Sequence, residues 1–220
     1  DHTFQVREYS VDANAETINL RTNQAFRDTT NWYHFVVAID STQSTASDRA
    51  KIYVNGSQIT DFASASYPSQ NRQFNVSNAT SNQRFHIGVE NFDGTSNEYR
   101  GYFADFNFLD GITKQPTDFG KTNPATNQWV PKKYTGGNYG TNGFFLEFKD
   151  NSNNTAATIG KDTSGQGNNL TPNAISVTTK YLNDSVIDTP TNNFPVMNVL
   201  DSSSFRTSSI FEGGLTEIIN

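Results

Sequence analysis

The feature of this sequence that most constrains its fold is the alternation of apolar and polar side chains with a period of two residues. The clearest example covers residues 32–40. Successive side chains of a β-strand point to opposite faces, and Tyr33, Phe35, Val37 and Ile39 share one face. The opposite face carries His34, Val36 and Ala38 and is expected to be at least half covered. Because helical periodicity is almost absent from the chain, this segment predicts a central β-strand.

The pair Asn55-Gly56 predicts a tight β-hairpin. It separates two extended segments, residues 49–54 and residues 57–60. A two-residue type I′ turn needs positive φ at both central positions, and asparagine followed by glycine meets this need best. The side chains expected to point inward from the first segment are those of Ala50, Ile52 and Val54.

Three more segments have strand character and predict an all-β fold. They are residues 84–89, 99–109 and 144–148. Short strands at this spacing, with turn residues between them, are typical of a sandwich or a barrel. We therefore expect a two-sheet antiparallel β-sandwich with an irregular, β-containing C-terminal extension.

Changes in composition along the chain predict three parts. Residues 1–112 carry most of the strand patterns and are expected to form the sandwich. Residues 113–200 are richer in proline and glycine and are expected to form an appendage of loops and strands that packs on the sandwich or extends it. Residues 201–220 form a serine-rich tail that the sequence does not place.

The charge and the absence of cysteine exclude several classes of function. The 16 basic and 22 acidic residues give a net charge of −6, whereas nucleic-acid binding requires a basic surface. Zero cysteines exclude disulfides and thiolate zinc sites. No apolar run approaches the roughly 18 residues of a membrane-spanning helix, so neither nucleic acid nor membrane insertion is expected.

Motifs for catalysis are missing from the sequence, and we expect no enzyme activity. There is no Gly-x-Ser-x-Gly nucleophile elbow and no phosphate-binding loop. Glycoside hydrolysis needs two carboxylates across a cleft, and the acids near strands are interpreted as solvent-facing. These acids are Asp105, Asp110, Glu147 and Asp150. His34 and His86 have outward positions on their predicted strands, where packing or hydrogen bonding is favoured over catalysis.

The loop of residues 162–168 admits two interpretations. Its Asp162, Ser164 and Asn168 carry oxygens of the kind that bind Ca²⁺. The same residues form side-chain turns without any metal. The turn interpretation is favoured, so no metal site and no cofactor are expected, with Ca²⁺ as the alternative.

Three aromatic residues are the candidates for carbohydrate binding: Trp129, Tyr134 and Tyr139. They lie in a segment rich in glycine and asparagine, and an exposed aromatic face beside amide groups suits a sugar. The same rings also fit as a cover that protects an open sheet edge from pairing. The structural interpretation is favoured, and the sugar-binding one stays open.

Short motifs in the first half of the chain follow one another in a characteristic order. They are Phe-Arg-Asp at residues 26–28, Trp-Tyr-His at 32–34, Asp-Ser-Thr at 40–42 and Ile-Tyr-Val-Asn-Gly at 52–56. In this order they resemble the concanavalin A-like, laminin G-like jelly roll. The pair Ile-Gly at residues 87–88 and the run at 99–105 are similar to the closing strands of that family.

A second series of motifs resembles a version of this domain found in phage and marine-virus structural proteins. It comprises residues 119–120, 129–134, 139–144, 162–169 and 188–194. The family has opening strands before the position that matches Phe4, so we expect this chain to lack them. Residues 198–220 do not match the second β module that often follows.

The resemblance implies a non-catalytic, lectin-like module on the surface of a virion, attached to tail or capsid. Its expected partners are other virion proteins or copies of itself, together with a host-cell glycan or receptor. A purely structural capsid-decoration or fibre-assembly subunit is the first alternative. A glycan-cleaving enzyme of the same fold is the second.

Overall fold

A computed structural model describes residues 2–10, 15–74, 85–88, 99, 101–177, 184–186, 189–191, 209–211 and 216–219. The regular structure in these ranges is almost entirely β, which confirms the predicted all-β class. The strands are β1 (Thr3–Ser10), β2 (Ala15–Ala25), β3 (Phe35–Ile39), β4 (Ala50–Val54), β5 (Ser57–Ile59), β6 (Phe62–Ser66), β7 (Phe106–Phe108), β8 (Gly120–Thr122), β9 (Trp129–Pro131), β10 (Phe144–Leu146), β11 (Ser209–Phe211) and β12 (Thr216–Ile219). One helical turn, α1, covers Pro116–Phe119, and a 3₁₀ turn covers Ala46–Asp48.

The strands form antiparallel sheets in two compact units. The first unit comprises residues 1–74 and 113–136, and the second comprises residues 75–112 and 137–220. The first contains the sheets β1-β2-β6, β3-β4-β5 and β8-β9, and the second contains the pairs β7-β10 and β11-β12. The predicted boundary at residue 112 is thus one point where the chain passes between units, but the segment after it returns to the first unit.

The core of the first unit lies between its two three-stranded sheets. Ile18 and Leu20 of β2 and Ala50 and Ile52 of β4 are buried together. Burying an isoleucine or leucine side chain stabilises a fold by about 1.5–3 kcal/mol. The partly buried side chains packed around these four are Phe4, Val6, Ile39, Ile59, Phe62, Tyr67 and Phe74. Two sheets that share one apolar layer form the expected sandwich.

The β4–β5 hairpin confirms the local prediction at Asn55 and Gly56. Their φ angles are 48° and 80°, and Val54 pairs with Ser57 across the turn. Ala50, Ile52 and Val54 are buried as expected. Tyr53, on the opposite face of β4, is buried as well, so both faces of this strand are covered.

Strand β3 was predicted to be a central strand, but in the sheet order of the described residues it lies at one edge, beside β4. Val36 and Ala38 are buried, whereas Val37 is 38% exposed. On the face of Val37, Phe35 is half-buried and stacks on Phe4, with ring centroids 4.2 Å apart. Both faces are thus covered at least in part, as the sequence predicted. The strand is also shorter than the predicted segment of residues 32–40.

Strand predictions in the second unit hold only in part. Of residues 84–89, the described residues 85–88 do not form a strand, and Gly88 turns the chain with a φ of 86°. Within residues 99–109, the strand is confined to β7. Aromatic packing replaces the missing ladder, because the ring of Phe85 lies within 6.2 Å of those of Phe106, Phe108 and Phe144.

The tail of residues 201–220 contains an antiparallel pair of short strands. Strand β11 pairs with β12, with Ser209 opposite Ile219. Throughout the described ranges, no helix is long and apolar enough to span a membrane.

Candidate functional site

Trp129 lies at the start of β9, where its indole packs on two glycines. A Cβ atom at Gly56 would lie 2.4 Å from the indole, and one at Gly120 would lie 2.5 Å from it. The indole Nε1–H donates to His34 Nδ1 over 3.0 Å. Trp129 is half-buried and joins the β8–β9 hairpin to the β4–β5 turn, which is a structural role.

Tyr134 and Tyr139 are buried, with 5% and 4% of their surface exposed. Tyr134 stacks on Phe119 with centroids 5.2 Å apart, and the Lys114 ammonium lies 5.9 Å from its ring. Tyr139 belongs to the other unit, where its hydroxyl donates to Asn107 Oδ1 over 2.9 Å. Packing thus covers both rings, whereas the sugar-binding interpretation requires an exposed aromatic face.

The Nδ1 atom of His34 accepts a hydrogen bond in this arrangement, which determines the protonation state of the ring. Its Nδ1 receives the Trp129 indole hydrogen, so the ring is neutral with its proton on Nε2. Burial lowers the pKa of His34. His86 is exposed and belongs to the second unit.

Acidification is expected to weaken the first unit through His34. The neutral form is favoured in the folded protein, so the unfolded chain binds the proton more tightly. The stability that His34 contributes is complete above pH 6.5, the ordinary pKa of histidine. It is lost as the pH falls through the lowered pKa of His34. We expect a loss of about 1 kcal/mol, the contribution of one hydrogen bond. Urea unfolding at pH 7.5 and pH 5 measures it.

Two variants separate this effect from general acid sensitivity. His34→Gln retains an oxygen acceptor for the indole but does not titrate, so its pH dependence between these values is expected to be smaller. His2→Gln changes an exposed imidazole and is expected to behave as the wild type. An unchanged pH dependence in His34→Gln would contradict the prediction.

The loop of residues 162–168 is organised around a buried carboxylate. Asp162 is 7% exposed. Its Oδ1 accepts from the N–H groups of Phe145 and Ser164 over 2.9 and 2.8 Å. Its Oδ2 accepts from the Asn168 N–H over 2.9 Å. Backbone donors thus occupy the oxygens that a Ca²⁺ ion would need, as in a side-chain turn.

Two of the acids considered for glycoside hydrolysis hold loops together. Asp110 Oδ2 accepts from the backbone N–H and the side-chain amide of Asn142, over 3.1 and 2.8 Å. Asp150 Oδ1 accepts from the N–H and hydroxyl of Ser152, over 3.2 and 2.6 Å. Within the described ranges, no three His, Asp or Glu side chains cluster closely enough to hold a metal ion.

Three neighbouring aromatic residues of the second unit are exposed, and we call them the aromatic surface: Tyr99, Tyr102 and Phe103. Their exposed fractions are 56%, 37% and 42%. The rings of Tyr99 and Phe103 lie 4.6 Å apart, tilted by 35°. Soluble proteins seldom leave several large rings exposed together unless the rings contact a partner.

Internal contacts hold the aromatic surface in place. The Tyr99 N–H donates to the Gly88 carbonyl over 2.7 Å. The Tyr99 ring lies against the backbone at Gly101, where an added Cβ would lie 2.6 Å from the tyrosine hydroxyl. Phe103 meets Phe106 of β7 edge to face at 6.5 Å. Partial burial raises the pKa of Tyr99, which keeps its hydroxyl protonated at neutral pH.

Sequence reasoning missed this surface. Residues 99–109 were predicted to be one strand, in which successive rings would point to opposite faces. Because the strand begins only at Phe106, the preceding rings are not in strand alternation. The signal was the density of tyrosine and phenylalanine around Gly101, which occurs in core strands as well.

No protein-family model, no curated protein and no solved structure matches this chain. The arrangement of its own side chains is therefore the basis for a proposal. An exposed and anchored set of aromatic rings is suited to binding a partner with an apolar face.

Proposed function

We propose that this chain is a non-catalytic, lectin-like module that binds glycans through the aromatic surface. The observation that carries the proposal is the exposure of Tyr99, Tyr102 and Phe103 on an anchored loop. A pyranose ring has one face of C–H groups that stacks on an aromatic ring, while its hydroxyls bond to polar groups such as a tyrosine hydroxyl. The loop-stabilising bonds of Asp110 and Asp150 support a role without catalysis.

The proposed fold family and virion location of the module are based on its sequence motifs. Two antiparallel sheets around one core support the concanavalin A-like, laminin G-like jelly roll that the motifs resemble. The phage-type motifs from residue 119 onward support a place on a virion surface. Its partners there are other virion proteins or further copies of this chain, and its target is a host-cell glycan.

Removing either ring of the Tyr99–Phe103 pair is expected to weaken glycan binding about tenfold. Truncating a central interface aromatic costs more than about 1 kcal/mol, and 1.4 kcal/mol corresponds to a factor of ten. A glycan array identifies a ligand for the wild type, and titrations of Tyr99→Ala and Phe103→Ala then measure the loss.

Val37→Ala is the matched control, because it shortens an exposed apolar side chain of the first unit. Its affinity is expected to equal that of the wild type. A wild type that binds no glycan on the array would refute the proposal. Equal affinities of Tyr99→Ala, Phe103→Ala and the wild type would refute it too.

A purely architectural subunit is the second candidate, and the same surface favours it. Tyrosine and phenylalanine are enriched in protein interfaces, so these rings suit contacts between copies. This candidate predicts concentration-dependent oligomers in sedimentation that dissociate in Phe103→Ala. Glycan binding by a monomer would exclude it as the function of this surface.

A further inference from the structure

We propose a second binding site in the first unit, a cleft beside the β4–β5 hairpin that takes a single neutral pyranose. This cleft has a volume of about 230 Å³. Its lining comes from the 3₁₀ turn and from β4, β5 and β6 with the residues that follow them. All of these elements belong to the first unit, so the cleft is separate from the aromatic surface.

One wall of the cleft is apolar and fixed. It contains Ile59, Phe62 and Tyr67, which are half-buried and pack against the core of Ile18, Leu20, Ala50 and Ile52. A wall supported by the core holds its shape when a ligand enters. Binding therefore loses little free energy to the ordering of side chains. Two aromatic side chains in that wall suit the C–H face of a sugar.

The other lining groups are polar and still have bonding capacity. Within the described ranges, the Ser47 hydroxyl, the Gln58 amide and the Thr60 hydroxyl make no hydrogen bond to protein. Amides and hydroxyls both donate and accept, which matches the hydroxyl groups of a sugar. An apolar wall that faces several polar groups gives a sugar a surface for its C–H face and partners for its hydroxyls.

Charge compensation in the cleft favours a neutral ligand. Lys51 Nζ lies 3.0 Å from Asp48 Oδ1, so the two charges at the rim are already paired. A charged ligand would meet one like and one opposite charge and gain little net attraction, whereas a neutral ligand needs neither. The volume lies below the roughly 300–1,000 Å³ of clefts for drug-sized ligands, which fits one pyranose rather than an extended glycan.

The test is a titration of the full chain with methyl glucoside, methyl galactoside, methyl mannoside and N-acetylglucosamine, followed by two-dimensional amide NMR. We expect at least one of these sugars to shift the signals of Lys51, Gln58 and Thr60. Gln58→Ala is expected to weaken that binding at least tenfold. The Gln58 side chain is exposed and has no hydrogen bond to the described residues, and alanine keeps the backbone pairing with Tyr53, so the fold should be unchanged.

Gln24→Ala is the matched control, since it removes an exposed amide of β2 outside the cleft. Tyr99→Ala separates this proposal from the function proposed above, because it should weaken glycan binding at the aromatic surface about tenfold and leave the cleft signals responsive. The proposal is overturned if none of the four sugars shifts these signals. It is also overturned if glucuronic acid, titrated in parallel, is the only sugar that shifts them, or if Gln58→Ala binds as tightly as the wild type.

Discussion

Replacing Gly143 by alanine is expected to destabilise the second unit by about 3 kcal/mol or more, the upper range for an overpacked interior. A Cβ at this position would lie 1.9 Å from the Tyr139 carbonyl oxygen and 2.9 Å from that of Phe108. Both neighbours are backbone atoms, so no rotamer change relieves the contact. Thermal unfolding should show a midpoint about 10 °C lower, since 1 kcal/mol shifts a chain of this size by about 2–4 °C.

Gly137→Ala provides the control for this prediction. Gly137 belongs to the same unit and has a φ of 72°, but no atom would lie within 4 Å of an added Cβ. Its substitution therefore carries only the conformational cost of a left-handed alanine, about 1 kcal/mol. If both variants lost the same stability, the close contact at Gly143 would not be the cause.

Replacing Asp162 by asparagine is expected to destabilise the second unit by about 2–3 kcal/mol, the value of hydrogen bonds to a buried charge. The asparagine oxygen keeps the Phe145 and Ser164 donors, but its amide group then faces the Asn168 N–H. Two donors then face each other, and the partly buried N–H of Asn168 loses its acceptor. Urea unfolding at neutral pH measures the loss.

The pH dependence of stability provides a second signature of the Asp162 carboxylate. Burial alone would raise the pKa of Asp162, but the hydrogen bonds from Phe145, Ser164 and Asn168 outweigh it and lower the pKa. The stability that the Asp162 carboxylate contributes is complete above about pH 4, the ordinary pKa of aspartate. It is lost as the pH falls through the lowered pKa of Asp162. The asparagine variant should lack this acid-sensitive part.

Asp150→Asn is the matched control for the measurement at neutral pH. Asp150 is exposed, and both of its bonds to Ser152 end on Oδ1, so an asparagine oxygen can keep them. The free energy of unfolding of the Asp150→Asn variant at neutral pH should stay within about 0.5 kcal/mol of the wild-type value. A similar loss in the two variants would show that the buried N–H donors of the 162–168 loop are not decisive.

Features set by neighbouring residues were predictable from the sequence. The β4–β5 hairpin followed from the φ requirements of Asn55 and Gly56, which depend on two residues only. The buried residues of β4 followed from alternation, because that turn fixed where the strand ends. The all-β class followed from repetition of such local signals.

Features set by tertiary packing were not predictable in the same way. Tyr134 and Tyr139 have the sequence context of an exposed loop, but Phe119 and Asn107 cover them from positions 15 and 32 residues away. The edge position of β3 was not predicted, because the order of strands in a sheet depends on segments far apart in the sequence. The cleft went unnoticed because its lining comes from several elements whose proximity depends on the sheet order.

The packing of Trp129 gives the protein its own optical reporter. The chain has two tryptophans, and the emission of an indole changes when its surroundings pass from a packed contact to water. Undocking of the β8–β9 hairpin from Gly56 and His34 would therefore appear as a red shift in Trp129 fluorescence. A Trp32→Phe background would assign that signal to one ring, so the hairpin can be followed in solution without any added label.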